Sequence, residues 1–224
     1  MNFTPITVSK VVKKMFPNFI WNINSQEKIL YLTFDDGPTP EVTNWVLACL
    51  KRYNAKATFF CIGKNVEQHP DIFESIINDN HTIGNHTYNH LKGWKTNTND
   101  YIENTSMCNS ILSENIQKSK IKNQKSETRN QNLFRPPYGR MKPKQAKLLI
   151  DKGFQIVMWS VLSVDWDKNV SEQKCYDNVV KNAVSGDIVV FHDSIKAFRN
   201  LQYALPKVLE HYSNLGYKFK SIPE

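Results

Sequence analysis

The chain has 224 residues, of which 40% are hydrophobic and 12% aromatic, a length and composition typical of one packed domain. No apolar stretch approaches the ~18 residues that a membrane-spanning helix needs, so the sequence predicts no membrane span. The 29 Lys and Arg residues exceed the 21 Asp and Glu residues and give a net charge of +8. Such a surplus can reflect contact with nucleic acid, but the sequence has no zinc-finger or aromatic nucleic-acid-binding signature. We therefore expect no nucleic-acid partner.

The N-terminal region is basic and partly apolar. Residues 1–28 have lysines among their apolar residues and lack the continuous apolar core of a signal peptide, which favours a cytoplasmic protein and leaves export without a recognisable signal open. Residues 6–20 have the pattern of a basic amphipathic segment, for which packing against the rest of the protein is favoured over membrane binding. We expect residues 1–28 to pack on a single main domain formed by residues 29–224.

Seven strand-like runs follow along the chain, with helical patterns between them. This alternation predicts βα units with parallel strands, and the nearly continuous apolar character of most runs is expected when helices cover a sheet. The runs are ILYLTF, KATFFCIG, HTIGNH, NLFRPP, QIVMWSVL, DIVVFH and YKFKSI.

The helices between these runs are predicted from apolar residues that recur every three or four positions. The clearest stripe consists of Val42, Trp45, Val46, Cys49, Leu50 and Tyr53. Similar stripes occur in residues 66–77, 101–112, 143–152, 172–184 and 200–213. Residues 117–132 contain five Lys or Arg residues against one Glu, which indicates a basic, solvated excursion at the surface.

The four cysteines are widely and irregularly spaced. This spacing fits reduced thiols in packed elements better than a disulfide framework or a cysteine-ligated metal. We therefore assign no chemistry to Cys49, Cys61, Cys108 and Cys175.

Polar side chains follow five of the seven predicted strands. The loops after the strands of a parallel α/β barrel lie at one face, so these side chains are expected to share a site. They belong to the acid pair Asp35 and Asp36 and to the segments NHTYNH (85–90), RPPY (135–138), DWD (165–167) and HDS (192–194).

Asp35 and Asp36 are adjacent at the end of a buried strand, where two like charges are costly unless a cation or hydrogen-bond donors hold one of them. His86 and His90 are four residues apart, which lets two imidazoles reach one ion from a helical turn or a tight loop. Either feature alone also fits ordinary surface or core residues. Together they supply two nitrogens and one oxygen, the ligand set of a catalytic zinc with one position left for water.

The segments TFDDGP, HTYNH, RPPY, SVDW and VFHD, in this order, resemble the five motifs of the polysaccharide deacetylase family, also called NodB-homology or carbohydrate esterase family 4. The resemblance covers residues 29–222. It implies a distorted (β/α)7 barrel in a single α/β domain, in agreement with the seven runs. It also implies metal-dependent removal of acetyl groups from a saccharide that contains N-acetylglucosamine, of the chitin-oligosaccharide or peptidoglycan type.

The resemblance also assigns the metal centre. It makes Asp36, His86 and His90 the ligands of a divalent ion, which we expect to be Zn²⁺, with Co²⁺ or Ni²⁺ as alternatives. It makes Asp35 the general base that takes a proton from the attacking water. Arg135 would orient Asp35 and keep it ionised.

The remaining motif residues would stabilise the transition state and bind the acetyl group. The backbone N–H of Tyr138 would stabilise the oxyanion, and His192 would protonate the leaving amine. Trp166 and Val190 would line an apolar pocket for the acetyl methyl group beside Tyr138. From the residues alone, His192 is equally a buried structural histidine, and Trp166 and Val190 are equally core residues.

The sequence departs from the family pattern at two positions. Leu162 replaces the first acid of the fourth motif, and Val190 replaces the usual Leu of the fifth. Loss of a carboxylate at position 162 predicts a pKa of His192 at or below about 6.5, unless an acid in DWD (165–167) or Asp193 partners it. A carbohydrate-binding protein with impaired catalysis is therefore the alternative function.

Overall fold

The computed structural model describes residues 5–122 and 130–223, with the side chains of residues 120–122 and 130–131 left aside. The strands are β1 (Phe19–Ile20), β2 (Ile29–Asp35), β3 (Thr58–Cys61), β4 (Thr82–Asn85), β5 (Asn130–Phe134), β6 (Gln155–Val157), β7 (Val161–Leu162), β8 (Ile188–His192) and β9 (Lys218–Phe219). The helices are α1 (Lys10–Met15), α2 (Val42–Arg52), α3 (Gly63–Gln68), α4 (Pro70–Asn78), α5 (Thr98–Lys122), α6 (Pro143–Asp151), α7 (Glu172–Val180) and α8 (Phe198–Asn214).

Strand β2 lies inside a parallel sheet in the order β1-β6-β5-β4-β3-β2-β8-β7, and β9 pairs with the start of β2. Leu30, Leu32 and Phe34 on one face of β2 pack into the cluster that includes the helices, whereas Tyr31 on the other face packs against Phe60. Both faces are covered, which explains why this strand is apolar without alternation.

The sheet curls, because residues that are distant in strand order touch across its inner face. Strands β4 and β3 separate β5 from β2. Arg135, directly after β5, nevertheless donates hydrogen bonds from Nη1 to Thr33 Oγ1 and to Asp35 Oδ1, each at 2.7 Å. The carboxyl ends of the central strands therefore surround one interior space.

The strand prediction was wrong in two places. The single predicted run QIVMWSVL forms β6 and β7, because the chain changes partner within it: the Met158 N–H donates to Ile20 and the Ser160 N–H to Ile188. The partner near Met158 is β1, which the sequence analysis missed because it has only two residues. The described residues accordingly contain nine strands instead of seven.

The predicted helix over 66–77 is two helices, α3 and α4. His69 separates them with an extended φ of −135°, and Pro70 occupies the first position of α4. Proline disfavours helical geometry in the preceding residue and suits the first turn of the next helix. The stripes in 42–53, 101–112, 143–152, 172–184 and 200–213 correspond to α2, α5, α6, α7 and α8.

The N-terminal region contacts the sheet on both sides of α1, through residues 6–7 before the helix and through β1 after it. Thr7 forms an antiparallel bridge with Val161 of β7, and the Leu162 N–H donates to Ile6. No residue of α1 is buried, and Val11 and Met15 are each 67% exposed. Packing of residues 6–20 therefore comes from the extended residues and not from the helix.

The basic segment 117–132 is only partly a connection. Helix α5 continues through Lys122 and β5 begins at Asn130, so its first six residues are helical and not an excursion. Residues 123–129 lie outside the described part of the chain.

Two further expectations concern membranes and thiols. Within the described residues, every helix is too short or too polar to cross a bilayer. All four cysteines are buried and free of disulfide bonds.

Candidate active site

A cavity of about 800 Å³ lies at the carboxyl ends of the central strands. Of the predicted site residues, only Arg135 does not line this cavity, because its side chain is fully buried against Asp35. The predicted residues that do line it are Asp35, Asp36, His86, His90, Tyr138, Trp166, Val190 and His192. The cavity is also lined by residues that were not predicted from the sequence, among them Pro5, Thr7, Val8, Arg140, Met158, Trp159 and Lys196.

Asp36, His86 and His90 form a cluster whose potential ligand atoms all lie within 4.8 Å of one another. Asp36 Oδ1 is 3.2 Å from His90 Nε2 and 3.6 Å from His86 Nε2. This oxygen is buried and accepts no hydrogen bond from the described residues. Two imidazole nitrogens that converge on an unsatisfied carboxylate oxygen fit a divalent cation.

The hydrogen bond of His86 prepares its other nitrogen as a ligand. Nδ1 of His86 lies 2.7 Å from the carbonyl oxygen of Arg135, so Nδ1 carries the proton and Nε2 keeps its lone pair. Burial lowers the pKa of His86 to about 4, which keeps the ring neutral at pH 7. Burial alone would raise the pKa of Asp36, but the close His90 and, at the low pH where all these rings are protonated, the charges of His192 and His86 lower it below the ordinary value.

The histidine pair lies on a loop and not on a helical turn. Asn85 Oδ1 accepts from the Thr87 N–H at 2.8 Å, and Thr87 Oγ1 accepts from the Leu91 N–H at 3.1 Å. Asp36 and His90 have left-handed φ values of 79° and 54°, which Asp and His tolerate better than most residues. The loop therefore turns both histidines towards Asp36.

Asp35 forms a buried ion pair with Arg135. The guanidinium is fully buried and donates to Asp35, to Thr33 and to the carbonyls of Val157 and Met158, between 2.7 and 3.2 Å. This ion pair fixes one oxygen of Asp35 and balances its charge. The adjacent acids therefore have different partners, a cation from the protein for Asp35 and two histidines for Asp36.

A third acid supports the backbone below this pair. Asp193 is fully buried, accepts from the Thr43 hydroxyl at 2.6 Å and donates its own N–H to the Asp35 carbonyl at 3.1 Å. A Cβ at Gly37 would lie 2.0 Å from Asp193 Oδ2, so only glycine fits there. Burial raises the pKa of Asp193 to about 8. Thr43 contacts only Oδ2, and the buried Oδ1 accepts no hydrogen bond from the described residues, so Asp193 does not partner His192.

Asp165 is the partner of His192. Its Oδ1 lies 2.8 Å from His192 Nδ1, and its Oδ2 accepts the His192 backbone N–H at 2.7 Å. Burial alone would lower the pKa of His192, but Asp165, with smaller effects from Asp36 and Asp35, raises it to about 9. The low pKa predicted from Leu162 is therefore wrong, because another acid of the same segment reaches the ring.

Part of the cavity wall beside His192 is apolar. Leu162, Val164 and Val190 pack together, and the Trp166 ring lies edge-on to His192 at 4.7 Å. Tyr138, 52% exposed, packs on His90 at 4.6 Å. Leu162 therefore contributes to an apolar surface beside His192.

Comparison with known proteins agrees with this geometry. Residues 22–157, more than half of the chain, match the family model described as Polysaccharide deacetylase. The chain belongs to the polysaccharide deacetylase family. Two curated members are similar over most of this sequence. A peptidoglycan-N-acetylglucosamine deacetylase of Bacillus cereus is 36% identical over 207 residues and 91% of each chain. The peptidoglycan-N-acetylmuramic acid deacetylase PdaA of Bacillus subtilis is 33% identical over 90% of this chain and 72% of its own.

A solved deacetylase structure has the same fold. The Bc1960 peptidoglycan N-acetylglucosamine deacetylase, in complex with a benzamide derivative, superposes with a TM-score of 0.83 at 31% identity. The superposition covers 99% of this chain and 96% of that one. The predicted single-domain α/β fold of the (β/α)7 deacetylase barrel is therefore confirmed.

Proposed function

We propose that this polysaccharide deacetylase is a metal-dependent hydrolase that removes N-acetyl groups from a saccharide containing N-acetylglucosamine, of the peptidoglycan or chitin-oligosaccharide type. Family membership and the relatives that act on peptidoglycan support deacetylation. The observation that carries the proposal is one cavity that unites the Asp36–His86–His90 cluster, Asp35 and His192.

Asp36, His86 and His90 are the proposed ligands of a divalent ion, most simply Zn²⁺. The fit depends on the neutral Nε2 of His86 and on the buried, unsatisfied Oδ1 of Asp36. A bound ion would polarise the acetamide carbonyl and lower the pKa of water in the site. Co²⁺ and Ni²⁺ also accept imidazole ligands, so the choice of metal is part of the proposal.

Asp35 is the proposed general base. Arg135 holds its Oδ1 at 2.7 Å and leaves the carboxylate at the cavity wall, where it accepts a proton from the attacking water. The attack gives a tetrahedral intermediate, whose oxyanion the Tyr138 backbone N–H stabilises.

His192 is the proposed general acid. Its Nδ1 is bound to Asp165, so Nε2 is the nitrogen that remains to donate a proton to the leaving amine. Trp166 and Val190 bind the acetyl methyl group through the apolar wall that they share with Leu162. Because Asp165 supports His192, the observation that favoured an impaired carbohydrate-binding protein no longer does so.

Acetate release tests the proposal. Purified protein is stripped of metal, reloaded with Zn²⁺, Co²⁺ or Ni²⁺, and incubated with a chitin oligomer and with peptidoglycan fragments. We expect acetate from at least one substrate, loss of release with chelator and recovery with metal. Binding of the saccharide without acetate under every metal condition would contradict the proposal. The cytoplasmic location stays a prediction that fractionation of the source cells checks.

A further inference from the structure

Two cations at the mouth of the cavity have no role in the proposed chemistry. Arg140 and Lys196 are exposed and line the cavity. Neither has an ion-pair partner within residues 5–122 and 130–223. The other ionisable lining residues are those already placed in the site, namely Asp35, Asp36, His86, His90, Tyr138 and His192. The mouth therefore offers positive charge that the protein itself does not balance.

Arg140 is held close to the reaction centre by a series of aromatic ring contacts. Its guanidinium lies 5.1 Å over the Trp94 ring, and Trp94 meets Tyr138 edge-on at 5.5 Å. Tyr138 in turn packs on His90. Gly139 has a left-handed φ of 64°, and a Cβ there would lie 2.2 Å from Trp159, so this turn is closely packed. The position of Arg140 is therefore built into the site.

Lys196 approaches from the other side of the ligand-bearing strands. Arg140 follows β5, which pairs with β4, whereas Lys196 follows β8, which pairs with β2 on the side away from β3. Asp36 follows β2 and His86 follows β4. A saccharide with its acetamide at the Asp36–His86–His90 cluster would thus have a cation on each side.

We propose that Arg140 and Lys196 select an N-acetylated saccharide that carries a carboxylate near the acetamide. This inference rests on the proposed deacetylation. A guanidinium that already lies on an aromatic ring is preorganised for a carboxylate, and exposed cations lose little hydration when an anion arrives. The carboxylate has two sources with the same chemistry, a lactyl ether acid on the sugar or the terminal acid of a peptide attached to it.

Acetate kinetics on matched substrates test this selection. The reloaded enzyme is assayed with a neutral chitin oligomer, a saccharide of equal length with a free lactyl acid, and the same saccharide with the lactyl group amide-linked to a peptide. The variants are Arg140→Gln, Lys196→Gln and Arg140→Lys. Lys147→Gln, an exposed charge on α6 outside the cavity, is the control.

We expect the wild type to have the higher kcat/KM on at least one acid substrate, through a lower KM, and this preference to fall with salt. Each Gln variant reduces the ratio of acid to neutral kcat/KM by about fivefold, which is ~1 kcal/mol for an exposed ion pair. Arg140→Lys retains most of the ratio, and Lys147→Gln retains all of it. The acid substrate whose advantage over the neutral oligomer falls in the Gln variants shows whether the lactyl acid or the peptide acid is the carboxylate that is selected.

Equal kcat/KM on neutral and acid substrates, or an unchanged ratio in both Gln variants, would overturn the inference. If no substrate releases acetate, deacetylation fails, and calorimetric titration with the same saccharides decides the selection. Tighter binding of an acid saccharide that both Gln variants weaken supports it, and equal binding overturns it.

Discussion

Strand β4 has a buried histidine at each end, and the two have opposite tautomers. His81, before β4, accepts the Ala57 N–H at Nδ1 at 3.2 Å, so its proton is on Nε2. His86, after β4, donates from Nδ1 to the Arg135 carbonyl and presents an unprotonated Nε2 to Asp36. Burial lowers the pKa of His81 to about 3 and that of His86 to about 4. Both rings are therefore neutral at pH 7.

The difference shows that burial and residue type do not make a histidine a ligand. His81 packs on Phe59 with ring centroids 5.3 Å apart and holds the chain at the amino end of the sheet. His86 has the same charge state, but its backbone partner leaves one nitrogen facing the cavity. Two features distinguish the structural histidine from the proposed ligand. They are the backbone group that Nδ1 contacts and the end of β4 at which the histidine lies.

Replacement of His86 and replacement of His81 should have very different effects on metal binding, and this is the largest difference that we expect. His86→Ala should weaken Zn²⁺ binding by at least ~100-fold, since even changes in groups that only support a ligand cost 10–100-fold. His81→Asn should leave the affinity unchanged, because Asn Oδ1 can accept the Ala57 N–H as Nδ1 does. Competition with a chromophoric chelator measures both. Equal losses in the two variants would contradict the distinction.

A third histidine extends the comparison, because His192 binds a carboxylate where His81 binds an N–H. Asp165→Asn removes the main cause of the raised pKa of His192, so the protonated acid should be lost at lower pH. The alkaline limb of kcat/KM should move down by about one unit or more, and activity at pH 8 should fall by about twofold or more. Asp167→Asn, whose carboxylate accepts from Asn169, is the control, and its profile should be unchanged.

The pH dependence of the free energy of unfolding tests the structural role of His81, at the amino end of β4. The pKa of His81 is lower in the folded state than its unfolded value of 6.5, so its contribution is complete above pH 6.5 and is lost as pH falls towards 3. From pH 7 to pH 5 the metal-free wild type should lose about 2 kcal/mol more than His81→Asn. Denaturant unfolding at both pH values measures the difference, and parallel losses would show that His81 does not titrate in this way.

Leu162→Asp should have the smallest effect. Nδ1 of His192 is already bound to Asp165, so a new carboxylate in the apolar wall should move the alkaline limb by less than about 0.3 unit, which corresponds to ~0.4 kcal/mol. Leu162→Asn controls for the change of shape. A rise of a full unit in Leu162→Asp alone would show that Asp165 does not complete the support of His192.

The sequence predicted the site better than its supporting contacts. Asp35, Asp36, His86 and His192 lie at or directly after the ends of strands that the apolar runs reveal, and parallel strands bring such ends together. The partner of His192 was left open among several acids, since spacing along the chain does not say which carboxylate turns inward. Strand β1 was missed and β7 was predicted as one strand with β6, because a strand of two residues carries no periodicity. Arg140 and Lys196 were not assigned because their placement depends on turns and packing after the strands.

The proposed division of labour between Asp35 and Asp36 can be tested by one paired measurement. Metal content and acetate release are determined for Asp35→Asn and Asp36→Asn after identical reloading with Zn²⁺. We expect that Asp35→Asn keeps about one ion per chain and loses about 10²-fold or more in kcat, whereas Asp36→Asn loses the ion. An empty site in Asp35→Asn with a filled site in Asp36→Asn would contradict it.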